Sequence, residues 1–206
     1  MVDLLTEDPT LSTEQRECIN SIQVSAKALL TIVNDTLDFS KIESGRFDIE
    51  EEPFNLGSTV SSLCQLLTTF SHQKGVNFIC QYSLDENLEI LGDAGRIRQI
   101  LSNLLMNALK FTAQGSVKIS VASKTIESEI KDYETLEVQF VIEDTGIGIK
   151  KHVLDTLFTP YYQGDASTAR LYGGTGLGLT ISQNVSSCTI IPFFSLFYCG
   201  HFRGVN

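Results

Sequence analysis

Positive charge is scarce in this sequence: 15 Lys and Arg stand against 25 Asp and Glu, a formal net charge of −10 over 206 residues. No basic field is available to hold nucleic acid or an anionic membrane, so any phosphate the protein takes up has to be gripped by a few placed groups. The five cysteines (Cys18, Cys64, Cys80, Cys188, Cys199) include no Cys-x-x-Cys pair, and no charged-then-apolar leader opens the chain. Both absences point to a reducing, cytoplasmic setting, with membrane attachment of a longer parent left open. Long apolar runs are also missing. Residues 185–202 come nearest to the ~20 needed for a spanning helix, but Pro192 breaks the stretch and Ser and Cys dilute it. No internal repeat or low-complexity tract is present, and the length excludes a long array. With 42% apolar and 19% charged residues, the composition is that of a globular chain.

Periodicity divides what remains into helices and strands. Residues 12–43 read as one long helix: Ser12 and Gln15 can form a capping box, and Ile19, Ile22, Ala26, Leu29, Val33 and Leu37 recur every three or four positions. That stripe has no partner helix in the sequence, so it packs either on another chain or on the domain that follows. Glycine and acidic residues from Ser44 to Pro53 mark a linker, with a boundary near residue 48. An amphipathic helix containing Val60, Leu63, Cys64, Leu67 and Phe70 ends at Gly75. Val76–Tyr82 alternates as a strand, Asp93 caps a helix over Ala94–Phe111, and Ser116–Ala122 and Leu136–Glu143 alternate as two more strands. Residues 150–158 suggest a short helix, and Leu177–Val185 a last one. The expected fold is α+β, a two-layer sandwich in which helices cover one face of a mixed sheet, preceded by the long helix.

Three short patterns could carry chemistry. On the helix 94–111, Asn103, Asn107 and Lys110 fall within roughly one sixth of a turn of one another, with Arg96 and Gln99 nearby, while Ile100, Leu101, Leu104, Leu105 and Ala108 lie opposite. Two neutral amides and an ammonium suit a Mg2+-bound polyphosphate, although a plain solvated face has the same look. Asp144-Thr145-Gly146-Ile147-Gly148 follows a strand directly. A buried carboxylate there would accept from an exocyclic amine, and glycine lets a ring approach the backbone; an ordinary Asp-Gly turn is the alternative. Gly173-Gly174-Thr175-Gly176-Leu177-Gly178-Leu179 opens a helix and can present backbone N–H groups to phosphate, or serve as a hinge. It has neither the Gly-Lys-Ser/Thr ending of a P-loop nor the strand that precedes a dinucleotide fingerprint. Between the glycine clusters, Phe158-Thr159-Pro160-Tyr161 and the polar run to Tyr172, with Arg170 in it, read as a flap with an aromatic root.

These patterns occur in one order between Asn103 and Leu179, and with Leu37-Asp38-Phe39-Ser40-Lys41-Ile42-Glu43-Ser44-Gly45 they closely resemble the sensor histidine kinases, the hybrid type above all. That family belongs to the ATPase superfamily shared with gyrase, HSP90 and MutL. The resemblance implies a partial dimerisation and phosphoacceptor hairpin over 1–47, whose second helix is 12–43, and an ATP-binding catalytic domain over 48–185. It implies ATP and Mg2+ as cofactors, with Asn107 on the metal and Lys110 on phosphate. Asn103 and Lys110 are the implied catalytic positions. Asp144 would receive the adenine amine, Gly146 and Gly148 would shape its pocket, and Phe158 and Tyr161 would anchor the flap carrying Arg170. Gly174, Thr175, Gly176, Leu177 and Gly178 would line the triphosphate. The implied partners are a second copy through the hairpin, a phosphoacceptor histidine hairpin and a response-regulator receiver domain, with no nucleic acid. Hydrolysing relatives place a Glu where Asn103 stands, and an amide cannot take a proton, so transfer to a protein nucleophile is expected over hydrolysis.

The sequence departs from the family twice. None of His72, His152 and His201 sits in the family's phosphoacceptor pattern, so the chain by itself is not expected to phosphorylate itself. Residues 186–206 read as an atypical apolar tail in place of the closing strands, which predicts an open sheet edge, aggregation and poor stability, as in a truncated or misread product. The competing functions are a nucleotide-binding, dimerising module without turnover and a chaperone- or repair-type ATPase, the latter disfavoured by Asn103.

Overall fold

The computed structural model describes residues 11–82, 84, 88–126, 135–162, 175–188 and 194–200. The chain divides into two compact units, Met1–Phe47 and Asp48–Asn206.

The first unit is built on helix α1 (Thr13–Glu43). Its start is specified as the sequence predicts: Gln15 N donates to Ser12 Oγ (3.2 Å) and Ser12 N donates to Gln15 Oε1 (2.8 Å), which satisfies two of the N-terminal donors of the helix. Ile22, Leu29, Val33 and Leu37 of the apolar stripe are exposed.

In the second unit, strand β1 (Glu52–Asn55) runs straight into helix α2 (Leu56–Lys74), with Asn55 Oδ1 accepting from Ser58 N at 2.7 Å as the N-cap. Gly75, in the left-handed conformation at φ 75°, ends α2 and turns the chain into β2 (Asn77–Tyr82). Strand β3 (Glu89–Gly92) leads to Asp93, whose Oδ1 accepts from Arg96 N at 2.9 Å and so starts helix α3 (Ala94–Phe111). Strands β4 (Ser116–Ile126) and β5 (Thr135–Asp144), the single turn α4 (Lys151–Leu154), helix α5 (Gly178–Cys188) and strand β6 (Phe194–Gly200) complete the described elements.

The main sheet has the order β2-β4-β5-β6, parallel between β2 and β4, antiparallel between β4 and β5, and parallel between β5 and β6. Val117, Ile119 and Val121 on β4 and Val138, Phe140 and Ile142 on β5 are buried, every second residue, and α3 packs over these two strands. Helix α3 contributes Ile97, Ile100, Leu101, Leu104, Leu105, Ala108 and Leu109 to that core, while α2 packs on β2 and on α3, and α5 on α3. Each fully buried Leu, Ile or Phe contributes roughly 1.5–3 kcal/mol, so this layer dominates stability. Lys118 and Glu143, paired across β4 and β5 at 3.2 Å, are partly exposed; such a pair contributes about 0–1 kcal/mol. The expected α+β sandwich with a mixed sheet is therefore present.

Three features differ from the sequence reading. The segment taken as linker up to Pro53 contains β1, which pairs antiparallel with β3, a strand not anticipated at all. Four residues with one acid and a proline carry no alternation to read, and only the partner makes them a strand. The edge expected to be open is instead covered along Val138–Asp144 by β6, drawn from the apolar tail, and α5 runs on to Cys188. Thirdly, Cys64 of α2 and Cys80 of β2 form a disulfide, with Cα atoms 6.5 Å apart. Cysteine spacing alone gave no sign of this pairing, because it depends on α2 packing against β2. No helix among the described residues is long and apolar enough to cross a membrane.

Candidate nucleotide site

Helix α3 is the element on which the separated motifs meet. Its buried face is fixed by the core, which leaves Asn103, Asn107 and Lys110 partly exposed on the other side. Arg96 Nη1 donates to Gln99 Oε1 at 2.8 Å one turn before Asn103, so the polar stripe of the sequence is a structural stripe as well.

Near the C-terminal end of α3 lies the Asp144–Gly148 turn. Asp144 ends β5, is 4% exposed, and its Oδ1 accepts from Gly146 N at 2.9 Å. Ile147 N donates to Phe111 O, the last carbonyl of α3, at 3.2 Å. A Cβ on Gly146 would lie 2.5 Å from that same Phe111 O and 2.9 Å from Asp144 Oδ1, so only glycine allows the turn this close to the helix end. Gly148 continues the turn with φ 70°. Thr145 secures the turn from the other side: its N donates to Ser116 O (3.0 Å), and its Oγ1 accepts from Ser116 N (2.9 Å).

Two turns earlier on α3, Asn103 meets the start of α5. Its carboxamide packs so closely on Gly178 that a Cβ there would be 2.6 Å from both Nδ2 and Oδ1. Asn103 Nδ2 also donates to Ser182 Oγ at 3.4 Å. At about 1.5 Å of rise per residue, the eight residues from Asn103 to Phe111 span about 12 Å, the distance along α3 between the two glycine clusters.

The segment before α5 is stitched by its backbone. Thr180 Oγ1 donates to Phe158 O (3.0 Å), Tyr161 N donates to Gly176 O (3.1 Å), and Leu177 N donates to Thr175 Oγ1 (3.2 Å). Tyr161 has φ 61°, which a non-glycine residue adopts only when its surroundings hold it there. A Cβ on Gly176 would lie 2.8 Å from the Tyr161 carbonyl carbon. Phe158 and Tyr161 are 46% and 60% exposed, and main-chain groups of both residues hydrogen-bond to the glycine loop or to α5. Arg170 and Gly174 lie outside the described residues.

Lys110 has its Nζ 5.1 Å from the Phe111 ring centre, and burial lowers its pKa from the ordinary 10.5. The structure thus brings together α3, the Asp144 turn and the α5 start, with a buried carboxylate at one end and backbone N–H groups and amides at the other. A buried acceptor at one end and donor groups at the other suit a ligand with an amine-bearing ring and a polyanionic tail. Sequence reasoning missed Ser182, Thr180, Thr145 and Lys74. The first two are buried hydroxyl residues within an apolar helical run, a weak signal; the others give none, because their partners are distant in sequence.

An α+β layer whose central helix receives an Asp-x-Gly-x-Gly turn at one end and a glycine-led helix at the other defines an ATPase-type nucleotide-binding domain. Residues 92–190 match the family of histidine kinase-, DNA gyrase B- and HSP90-like ATPases, and residues 1–45 match the His Kinase A (phospho-acceptor) domain. The chain belongs to the sensor histidine kinase family. It is 41% identical over 181 residues to the autoinducer 2 sensor kinase/phosphatase LuxQ of Vibrio parahaemolyticus, covering 88% of this chain and 21% of that protein. It is 40% identical to the signal transduction histidine-protein kinase BarA of Escherichia coli, covering 88% and 19%. The crystal structure of full-length ShkA in complex with AMPPNP superposes with a TM-score of 0.65 at 30% identity, over 91% of this chain and 36% of that one. The chain thus spans about a fifth of the length of these curated relatives.

Proposed function

We propose that this chain is the ATP-binding catalytic segment of a two-component phosphorelay histidine kinase, which transfers the γ-phosphate of Mg-ATP to a histidine on a helical hairpin. The observation that carries this is the meeting, on one helix, of the buried Asp144 turn at Phe111 and the glycine-led start of α5 at Asn103. Asp144 accepts from the exocyclic amine of adenine, and Gly146 and Gly148 let the purine close onto the backbone. Asn107 offers Mg2+ a neutral oxygen, and Lys110 and Arg170 meet phosphate oxygens. Gly174, Thr175, Gly176, Leu177 and Gly178 wrap the triphosphate at the N-terminus of α5, whose dipole favours anions. Phe158 and Tyr161 root the flap. Mg-ATP, when bound, supplies the phosphoryl group and part of the charge neutralisation.

Asn103 stands at the phosphate end with an amide that cannot act as a general base, so water is not activated there. The chain's work is therefore positioning and charge neutralisation, which suits transfer to an imidazole over hydrolysis. Residues 1–45 contain no histidine, so the acceptor is supplied from outside this sequence. The exposed stripe of α1 (Ile22, Leu29, Val33, Leu37) supports pairing with a second copy, and similarity to the hybrid signal transduction histidine kinase A of Dictyostelium discoideum, 41% identical over 184 residues, supports a receiver domain as the next phosphate acceptor.

The test mixes the folded chain with a His-bearing hairpin and γ-labelled ATP. Label on the hairpin that is acid-labile and alkali-stable is expected. ATP binding without such label would leave a nucleotide-binding module and remove the kinase reading.

A further inference from the structure

All four last carbonyls of α3 have partners, and two of the four belong to a single residue of another helix. A helix leaves its last four C=O groups without intrahelical donors. Here Ala108 O accepts from Thr112 N (3.1 Å) and Thr112 Oγ1 (2.8 Å), and Phe111 O accepts from Ile147 N (3.2 Å). Leu109 O and Lys110 O, the latter at 3.0 Å, both accept from Nζ of Lys74, the last residue of α2. Lys74, at the C-terminus of α2, therefore places its ammonium on the C-terminal carbonyls of α3. The end of α3 carries about half a negative charge, so a cation there is favoured, and an apolar side chain in its place would leave two carbonyls without this donor.

The bracketed turn is the one that carries Lys110 and offers Phe111 O to the Asp144–Gly148 turn. We infer that Lys74 is a positioning residue for the nucleotide site: it holds the last turn of α3 so that Lys110 and the Phe111–Ile147 hydrogen bond keep their places. The inference deepens the proposed ATP-binding reading and rests on it for the affinity arm alone. Lys74 touches no candidate ligand position; it acts through α3.

The test uses the full chain with Lys74→Met, which keeps the aliphatic stem, and Lys74→Arg, which keeps charge and donors. Amide hydrogen exchange at Ile147 and Thr112 is expected to quicken about tenfold in K74M while the β4–β5 amides stay unchanged, with K74R near the original rates. ATP affinity by calorimetry is expected to fall several-fold in K74M and to return in K74R. Unchanged exchange at Ile147 and Thr112 would overturn the inference, and so would equal acceleration throughout β4 and β5, which would make Lys74 a general stabiliser. Should K74M not fold, K74Q, which keeps a donor without the charge, is measured the same way, with the same two results deciding against it. If the unsubstituted chain takes up no ATP, the reading of the site falls, while the exchange measurement still decides what Lys74 does to α3.

Discussion

Asn103 and Gly178, 75 positions apart in sequence, are packed so tightly that a methyl group on Gly178 would sit 2.6 Å from both heteroatoms of the Asn103 amide. This contact sets the distance between α3 and the start of α5, where the proposed site would take the phosphates. Gly178→Ala is expected to destabilise the chain by about 1–3 kcal/mol, the range for inserting a methyl into a packed contact, and to weaken ATP binding. Asn103→Ala in the same chain removes the clash. A double-mutant cycle by chemical denaturation should therefore show favourable coupling between the two substitutions, and simple additivity would count against the contact.

Asp144→Asn is expected to weaken ATP by about 10- to 100-fold, the cost of opposing two donors in a buried place, and to leave inorganic triphosphate almost unaffected. One carboxylate oxygen already accepts from Gly146 N. An asparagine that keeps this bond turns its NH2 to where the second oxygen was, against the amine of adenine. Titration calorimetry with both ligands measures the difference, and equal losses would remove the adenine role.

Lys110 binds its proton less tightly in the folded chain than in water because burial disfavours the charged form. Between that lowered pKa and the ordinary 10.5, the unfolded chain holds more protons at this position, so its contribution makes stability rise with pH across that window. Below the window, the full cost of burying the charge is present. Phosphate binding needs the protonated form, so ATP affinity should fall as pH climbs through the lowered pKa, and Lys110→Met should bind weakly at every pH without that fall. A pH series of ATP titrations on both chains checks it; parallel profiles would exclude Lys110 as the group that titrates.

Reduction of the Cys64–Cys80 bond, which closes a loop of sequence separation 16, is expected to cost about 3 kcal/mol on the loop-entropy scale. Thermal melts with and without a dithiol reductant measure the shift, with Cys64→Ser as the control in which reductant should change nothing. Identical melts for the unsubstituted chain would show that the bond adds no stability.

Much of the fold could be read from local pattern. The capping box of Ser12 and Gln15, the Asp93 cap, the left-handed Gly75 and the bounds of α3 depend on neighbours within four residues, where sequence and geometry are tightly linked. The polar stripe Asn103–Asn107–Lys110 followed from helical spacing alone. What escaped depends on pairing over long separations: β1 with β3, β6 on β5, and Cys64 with Cys80. A four-residue strand has no alternation strong enough to announce itself, and an apolar tail reads as a liability until an edge is found to receive it.

By itself, the sequence determined which side chains the proposed nucleotide site draws on and which helix and turns bear them, since caps, glycines and a 3.6-residue period act over a few residues. Tertiary structure alone decided that the Asp144 turn closes on Phe111, that Gly178 abuts Asn103, and that Lys74 reaches across to end another helix. Those contacts arise because one buried helix face locks α3 onto β4 and β5 and leaves its other face and its end as the meeting place of segments that share no local code.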